Sequence, residues 1–192
     1  MKKVLTLRNI VVWAGALLLL VAFFMSFGAK MSANVDGYQY SYNGIVWGAK
    51  TVTMMGKTVP ISSMGEGINK LEPAALLLVG FILMLVAALA AVLIGLFVNK
   101  PWAKWVVLAC AVVALAGAVM QFFAKDSFAN AYVNTIGKAL GMSKEEIKEA
   151  IKEFRAQEDQ FGAKFVINTV GGVLGLLGAL AVGASQFLPE KK

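Results

Sequence analysis

Few residues of this 192-residue chain are equipped for catalysis. There is no histidine, which removes the commonest general base and metal ligand. The single cysteine, Cys110, lies in an apolar run, so no intrachain disulfide forms. Gly56-Lys57-Thr58 has the tail of a phosphate-binding loop, but the position five residues before Gly56, where a glycine is required, is Thr51, and no helix pattern follows. Glu66 and Glu72 have no catalytic companion nearby, and no serine sits in a G-x-S-x-G elbow. Met31, Met54, Met55 and Met64 offer thioethers of the kind Cu(I) accepts, yet methionine serves more often as adaptable packing. This inventory argues against an enzyme and implies no catalytic residue, metal or cofactor. The chemistry that remains is recognition.

The candidate recognition residues lie in two polar stretches. In the first, Tyr38-Gln39-Tyr40-Ser41-Tyr42 alternates aromatic and polar with period two, the pattern of a half-buried strand. Asn43-Gly44 then precedes Ile45-Val46-Trp47, and Asn-Gly favours a type I′ hairpin turn. That register places Tyr42 opposite Ile45, Tyr40 opposite Trp47, and Tyr38 opposite Ala49. A second hairpin is expected from residues 51–55 and 58–61 around Gly56-Lys57, with Pro60 on an edge strand because it lacks an N–H. Tyr38, Tyr40, Tyr42 and Trp47 would form an aromatic face that docks a partner or packs onto the protein's own helices.

The second polar stretch is helical. Residues 126–140 read as a helix stopped by Gly141. Ser143-Lys144-Glu145-Glu146 is a capping box, with Met142 and Ile147 placed as a hydrophobic staple. The helix that follows has an apolar face of Ile147, Ala150, Ile151 and Phe154, and Ile147, Ile151 and Phe154 join the candidate partner-binding residues. Residues 139–143 superficially resemble a helix-turn-helix corner, but the mixed charge argues against nucleic acid.

The rest of the chain is apolar. The whole chain is 59% hydrophobic and 15% charged, against about 25% charged in soluble domains. The pattern predicts an α-helical membrane protein, a four-transmembrane-helix bundle with a small extracytoplasmic β-hairpin sheet and an extracytoplasmic helical segment. The expected divisions are a cytoplasmic N-terminus (1–9), a first span (10–28), a β-rich outer loop (29–72), a second span (73–98), a cytoplasmic turn (99–104), a third span (105–123), an outer helical segment (124–164), a fourth span (165–188) and a cytoplasmic C-terminus (189–192). Nineteen residues of helix reach about 29 Å, the thickness of the hydrocarbon core. The first span would alternatively be a signal peptide cleaved near Ser26-Phe27-Gly28, although its apolar run exceeds the usual h-region of about 7–15 residues. Lys and Arg set the orientation. The termini and the 99–104 turn carry seven basic residues and one acid, and the remainder carries eleven basic and ten acidic residues. The net charge of +7 thus falls almost wholly on the side expected to face the cytoplasm, beside anionic lipid.

No Asp, Glu, Lys, Arg or His lies inside any expected span, which argues against a pump or proton-coupled carrier. Small residues recur at helical spacing instead: Gly171, Gly175 and Gly178 in the fourth span, Ala114 and Gly117 in the third. They would serve bundle packing, or else seat a dimer or another membrane subunit.

Four helices, a long β-rich first outer loop and a shorter second one resemble the claudin and peripheral-myelin type of tetraspan protein. Gly44-Ile45-Val46-Trp47 is similar to that family's Gly-Leu-Trp with one extra residue, whereas the family's paired loop cysteines are absent. The resemblance implies lateral assembly or adhesion through the outer sheet. The expected function is a non-catalytic structural or accessory subunit of the plasma membrane, with the bilayer and a membrane-protein partner or a second copy as its neighbours. The alternative is a small channel or transporter component acting as an oligomer.

Overall fold

In the computed structural model the described residues are 6–27, 30–35, 38–98, 101–156 and 166–188. They form six α-helices and four strands: α1 (Leu7–Phe27), β1 (Lys30–Val35), β2 (Tyr38–Asn43), β3 (Thr51–Met54), β4 (Lys57–Pro60), α2 (Ala75–Phe97), α3 (Ala103–Met120), α4 (Ala124–Ala139), α5 (Lys144–Ala156) and α6 (Val166–Ser185). Three helical stretches, in α1, in α2 and from α3 through α4, are long and apolar enough to cross a membrane. The apolar part of α6, Thr169–Ser185, is shorter. The chain divides into two compact units.

The first unit comprises Met1–Ser26, Val79–Phe122 and Thr169–Lys192. Its helices meet through small residues. A Cβ added to Gly15 of α1 would lie 2.8 Å from the Gly178 carbonyl oxygen of α6, and one on Gly178 would lie 2.7 Å from Gly15 O. Gly80 of α2 and Gly117 of α3 make the same reciprocal approach, at 2.8 and 2.5 Å. Gly175 of α6 abuts Ala118 of α3, and the rings of Phe23 in α1 and Phe81 in α2 meet edge to face at 5.8 Å. These contacts close a ring of four helices. Only Gly permits such backbone approach, and without it helices stand about 8–10 Å apart. Of the small residues expected to pack helices, Gly171, Gly175, Gly178, Ala114 and Gly117 are all buried. One end of the ring is tied by polar contacts: Arg8 Nη2 donates to Gln186 Oε1 at 2.6 Å, Gln186 Nε2 donates to Ser185 Oγ at 2.7 Å, and Lys104 lies over the Phe187 ring. The start of α1, the start of α3 and the end of α6 therefore share that end.

The interior of this unit is rich in alanine and glycine and also buries Val12, Leu19, Phe81, Met84 and Val107, while its exterior carries leucine, valine and phenylalanine. Ala22, Ala88, Ala91, Ala114 and Ala118 are at most 1% exposed, while Leu17, Phe24, Val86, Leu93, Val112 and Leu180 are 56–67% exposed.

The second unit comprises Phe27–Leu78 and Phe123–Asn168. Its strands form an antiparallel meander in the order β1-β2-β3-β4. Two expectations about this sheet are corrected. Residues 30–35, which have no clear alternation, form β1 and pair along β2, with Val35 opposite Tyr38. The Asn43-Gly44 hairpin does not form: Tyr40 faces Met54 and Tyr42 faces Val52, rather than Trp47 and Ile45. A type I′ turn needs positive φ at both central residues, and of these two only Gly44 has it (φ 70°). Residues 44–47 instead make a turn in which Trp47 N–H donates to Gly44 O. The segment after it is captured by the chain leading into α2, since Leu71 N–H donates to Ala49 O and Ala74 N–H to Ile45 O. Ile45, Val46 and Ala49 are all buried. Gly48, at φ +92° with Leu71 O 2.8 Å from where a Cβ would stand, fits this crossing because it is glycine.

The second hairpin forms one residue earlier than expected. Met54 pairs with Lys57, and the turn is Met55-Gly56, with φ 49° and 77°, both positive as type I′ requires. β4, which ends at Pro60, is an edge strand. A 3₁₀ turn (Ile61–Met64) follows it. Pro73 precedes α2 rather than opening it, and α3 runs into α4 through a single 3₁₀ turn at Gln121–Phe123.

The ends of α4 and α5 follow their sequence signals. Gly141 has φ 71°, Met142 N–H donates to Gly137 O, and Gly141 N–H donates to Lys138 O, the two bonds of a Schellman motif. Ser143 N–H donates to Glu146 Oε2 at 2.7 Å, and Glu146 N–H donates to Ser143 Oγ at 3.3 Å, which completes the capping box. Ile147 folds back onto Gly137, where a Cβ would meet it at 2.7 Å.

Candidate functional site

In the second unit an aromatic cluster joins sheet to helices. Tyr42 of β2 lies 5.4 Å from Phe128 and 6.4 Å from Tyr132 of α4, ring centre to ring centre. Phe154 of α5 closes the cluster at 6.3 and 5.6 Å from the same two rings. Such pairs each contribute about 0.5–1.5 kcal/mol beyond area burial. Tyr42 is 3% exposed and Ile147 6%, and Phe154 and Ile151 are half-buried, so these expected partner-binding residues pack within their own unit. Trp47 is 44% exposed. The side chains of Tyr38 and Tyr40 lie outside the described residues.

Beside this cluster is a cavity of about 380 Å³, in the size range of small-molecule sites. Glu72 and the first turn of α2, at Ala75 and Leu76, form one wall. Asp126, Ser127, Asn130 and Asn134 of α4 form another, and Arg155 of α5 a third. The α4 residues share a face because they fall at steps of about four, and Lys138 extends the row. Each wall is held in place. Arg155 Nε sits 3.1 Å from Asp126 Oδ1, and its Nη2 donates to Asn130 Oδ1 at 3.3 Å. Asn134 Nδ2 donates to Asn130 O at 2.7 Å. Glu72 is fixed twice, its backbone N–H donating to Thr135 Oγ1 at 2.9 Å and its carboxylate pairing with Lys138. Exposed pairs of this kind stabilise by only about 0–1 kcal/mol, so their consequence here is position.

Ser127 does not fit this pattern. It is 4% exposed, and its Oγ has no hydrogen-bond partner among the described residues. Leaving a buried hydroxyl unsatisfied costs roughly 1–3 kcal/mol. The row Asp126, Asn130, Asn134 and Lys138 was not among the residues expected to matter, although its four-residue polar repeat on one helix face is a signal that could have found it. Its partners, Glu72 and Arg155, come from distant sequence and carried no comparable signal.

Among the described residues no three His, Cys, Asp or Glu side chains gather as a metal site needs. Met55 is 72% exposed on its turn. The Glu146 carboxyl is held below its ordinary range by hydrogen bonds from the Ser143 backbone and hydroxyl, which is a capping role rather than a catalytic one. Compared with known proteins, the chain matches no family model and no curated sequence.

Proposed function

We propose that the protein is a non-catalytic, multi-pass protein of the plasma membrane. In this reading α1, α2, α3 and α6 span the bilayer and both termini lie in the cytoplasm. The sheet with α4 and α5 stands outside as a docking surface for a membrane-protein partner or a second copy, as in the claudin and peripheral-myelin type of architecture. The observation that carries the reading is the exterior of the first unit, where large apolar side chains such as Leu17, Phe24, Val112 and Leu180 stand exposed around a closely packed interior. Water penalises that arrangement and hydrocarbon accepts it, because lipid tails are as apolar as leucine. The 20 residues of α6 reach about 30 Å, enough for the hydrocarbon core. Trp102 and Trp105, 48% and 70% exposed around Lys104, suit a membrane–water boundary. The glycines that an oligomeric channel would use as lining face other helices of the same chain, which favours the accessory role over the channel.

Two experiments test this. With Cys110 replaced by alanine, single cysteines at Ser63 and at Lys191 should react with an impermeant maleimide from opposite sides of intact cells; labelling from the same side overturns the topology. A pull-down in mild detergent through a C-terminal tag should recover a stoichiometric membrane partner or a defined multimer. Trp47→Ala should lose it, and undiminished recovery would remove Trp47 from the docking surface.

A further inference from the structure

The charges of α5 are sorted along its length. Lys144, Lys148 and Lys152 follow one another at steps of four, and Glu145, Glu149 and Glu153 do the same one residue on. A step of four returns to the same side of a helix, since successive residues turn by about 100°. The helix therefore has three strips. Ile147, Ala150, Ile151 and Phe154 face inward and are buried or half-buried. The lysines run along one edge of the outward surface and the glutamates along the other, and all six are exposed. Glu145 and the exposed Ala156 mark the middle of that surface, opposite the apolar strip.

Like charges four residues apart repel, and a solvated helix gains by setting Glu four residues before Lys. In α5 Glu is followed at four by Glu, and Lys by Lys. Among the described residues none of the six charges closes an ion pair. Arg155 is engaged with Asp126, and Glu146 with the Ser143 cap, so neither is counted with the rows.

Such a surface is complementary to itself in one orientation. Across a two-fold axis parallel to the helices, the lysine edge of each copy stands against the glutamate edge of the other. Lys144, Lys148 and Lys152 then come level with Glu145, Glu149 and Glu153 of the second copy. With the helices antiparallel, lysines would face lysines and glutamates would face glutamates. Flanking charges set partner and orientation in coiled coils by the same logic. A partner of one sign, such as an anionic surface, would be drawn to one edge and repelled by the other.

We propose that α5 is the contact through which two copies of this chain associate, with their α5 helices parallel and related by a two-fold axis. The proposal rests on the docking-surface reading given above and names its partner. Two copies held in one bilayer meet at high effective concentration, so a polar helix pair that buries little apolar surface is enough.

The test uses the full chain in its membranes, with Cys110 replaced by alanine. Ala156→Cys and Glu145→Cys are each treated with a bismaleimide shorter than the roughly 16 Å between the two positions along the helix. Each variant should link to its own kind, and the two co-expressed with different tags should give no mixed product. Mixed product in place of like-with-like product means antiparallel helices and overturns the proposal, as does the absence of any linked dimer. In the Ala156→Cys chain, Glu149→Lys with Glu153→Lys should cut the linked dimer at least fivefold, and so should Lys148→Glu with Lys152→Glu. Co-expressed, the two reversed chains should link to each other at the yield of the unreversed chain, which misfolded variants could not do. Linking that survives either reversal, or reversed chains that fail to link to each other, overturns the charge pairing. A pull-down through a C-terminal tag separates this proposal from the one it rests on. A different membrane protein recovered in stoichiometric amount, without an α5 link, refutes only the second copy as partner. Recovery of neither a partner nor a multimer refutes the docking surface as well.

Discussion

Gly117→Ala tests the glycine contacts of the helical unit most directly. The added Cβ would stand 2.5 Å from the Gly80 carbonyl oxygen and 3.0 Å from Met84 Cγ. A carbon–oxygen contact needs roughly 3.3 Å, so α2 and α3 would have to part locally by roughly 0.8 Å. The obstacle is backbone, which cannot rotate aside as a side chain can. A radial gap of about 0.5–1 Å forfeits a quarter to a half of each dispersion contact along the seam, and overpacking of this kind costs about 1–3 kcal/mol. Alanine has a higher helix propensity than glycine by about 0.5–1 kcal/mol, so the net loss should be about 1–2 kcal/mol. The control is Gly95→Ala, whose Cβ would meet Val12 Cγ1 at an unstrained 3.6 Å; it should be neutral or stabilising by the propensity term alone. Thermal unfolding in one mild detergent should lower the midpoint of Gly117→Ala by several degrees, taking about 2–4 °C per kcal/mol for a chain of this size. Equal midpoints for the two variants would refute the close α2–α3 approach.

Three further outcomes are expected in the sheet and helix unit. Gly48→Ala should destabilise by at least about 1 kcal/mol, because φ +92° disfavours any L side chain and its Cβ would strike Leu71 O; denaturant midpoints check this. Met55→Gly should stabilise by about 1 kcal/mol, since Met55 occupies a left-handed conformation (φ 49°) with its side chain exposed; an unchanged or lower midpoint would remove the turn assignment. The depressed Glu146 carboxyl gives α5 a pH dependence. A lowered folded pKa means that this stabilisation is fully present above the ordinary carboxyl range and is lost as pH falls through the folded value. Protection factors of the first-turn amides of α5, exchange rates corrected for the intrinsic pH dependence, should therefore fall in acid, and Ser143→Ala should flatten that profile.

The features legible in the sequence are those decided locally. Ser143 and Glu146 sit three residues apart and find each other, and Gly141 stops α4, because cap geometry depends only on adjacent residues. The apolar helices are legible because unbroken runs leave little else to form. The Asn43-Gly44 turn was misread because its outcome depends on distant donors, the amides of Leu71 and Ala74, which capture Ala49 and Ile45. Met55 could not be read as a left-handed turn residue, since methionine carries no such preference. β1 lacked alternation, and its pairing comes from β2. For the cavity, the α4 row was not among the expected residues although it stands as a repeat, and its closure by Glu72 and Arg155 is tertiary. The tyrosine alternation was real, and Tyr42 faces Phe128 and Tyr132 of the same chain rather than a partner.

The two units pack by opposite rules, and that contrast leads to a substitution that reads their solvents separately. In the second unit Tyr42, Ile45, Ile61, Leu71 and Phe128 are buried, and lysines and glutamates lie on the exterior, as water demands. In the first unit Leu17, Phe24, Leu93 and Leu180 lie on the exterior instead. Leu17 is 62% exposed and falls at the middle of α1, equally far from Leu7 and Phe27. If water bathes that face, Leu17→Lys is an ordinary surface change worth within about 0.5 kcal/mol, and it should improve solubility. If hydrocarbon bathes it, a lysine at the helix centre costs about 2.5–3.5 kcal/mol, and the lost leucine adds about 0.3–0.6. The same change at Met55, 72% exposed in the other unit, should be tolerated in either case apart from the turn strain already present. Carbonate-resistant yield from membranes should therefore fall sharply for Leu17→Lys and stay near wild type for Met55→Lys. Equal yields would mean that the exposed leucines face water, and the membrane reading would fail with them.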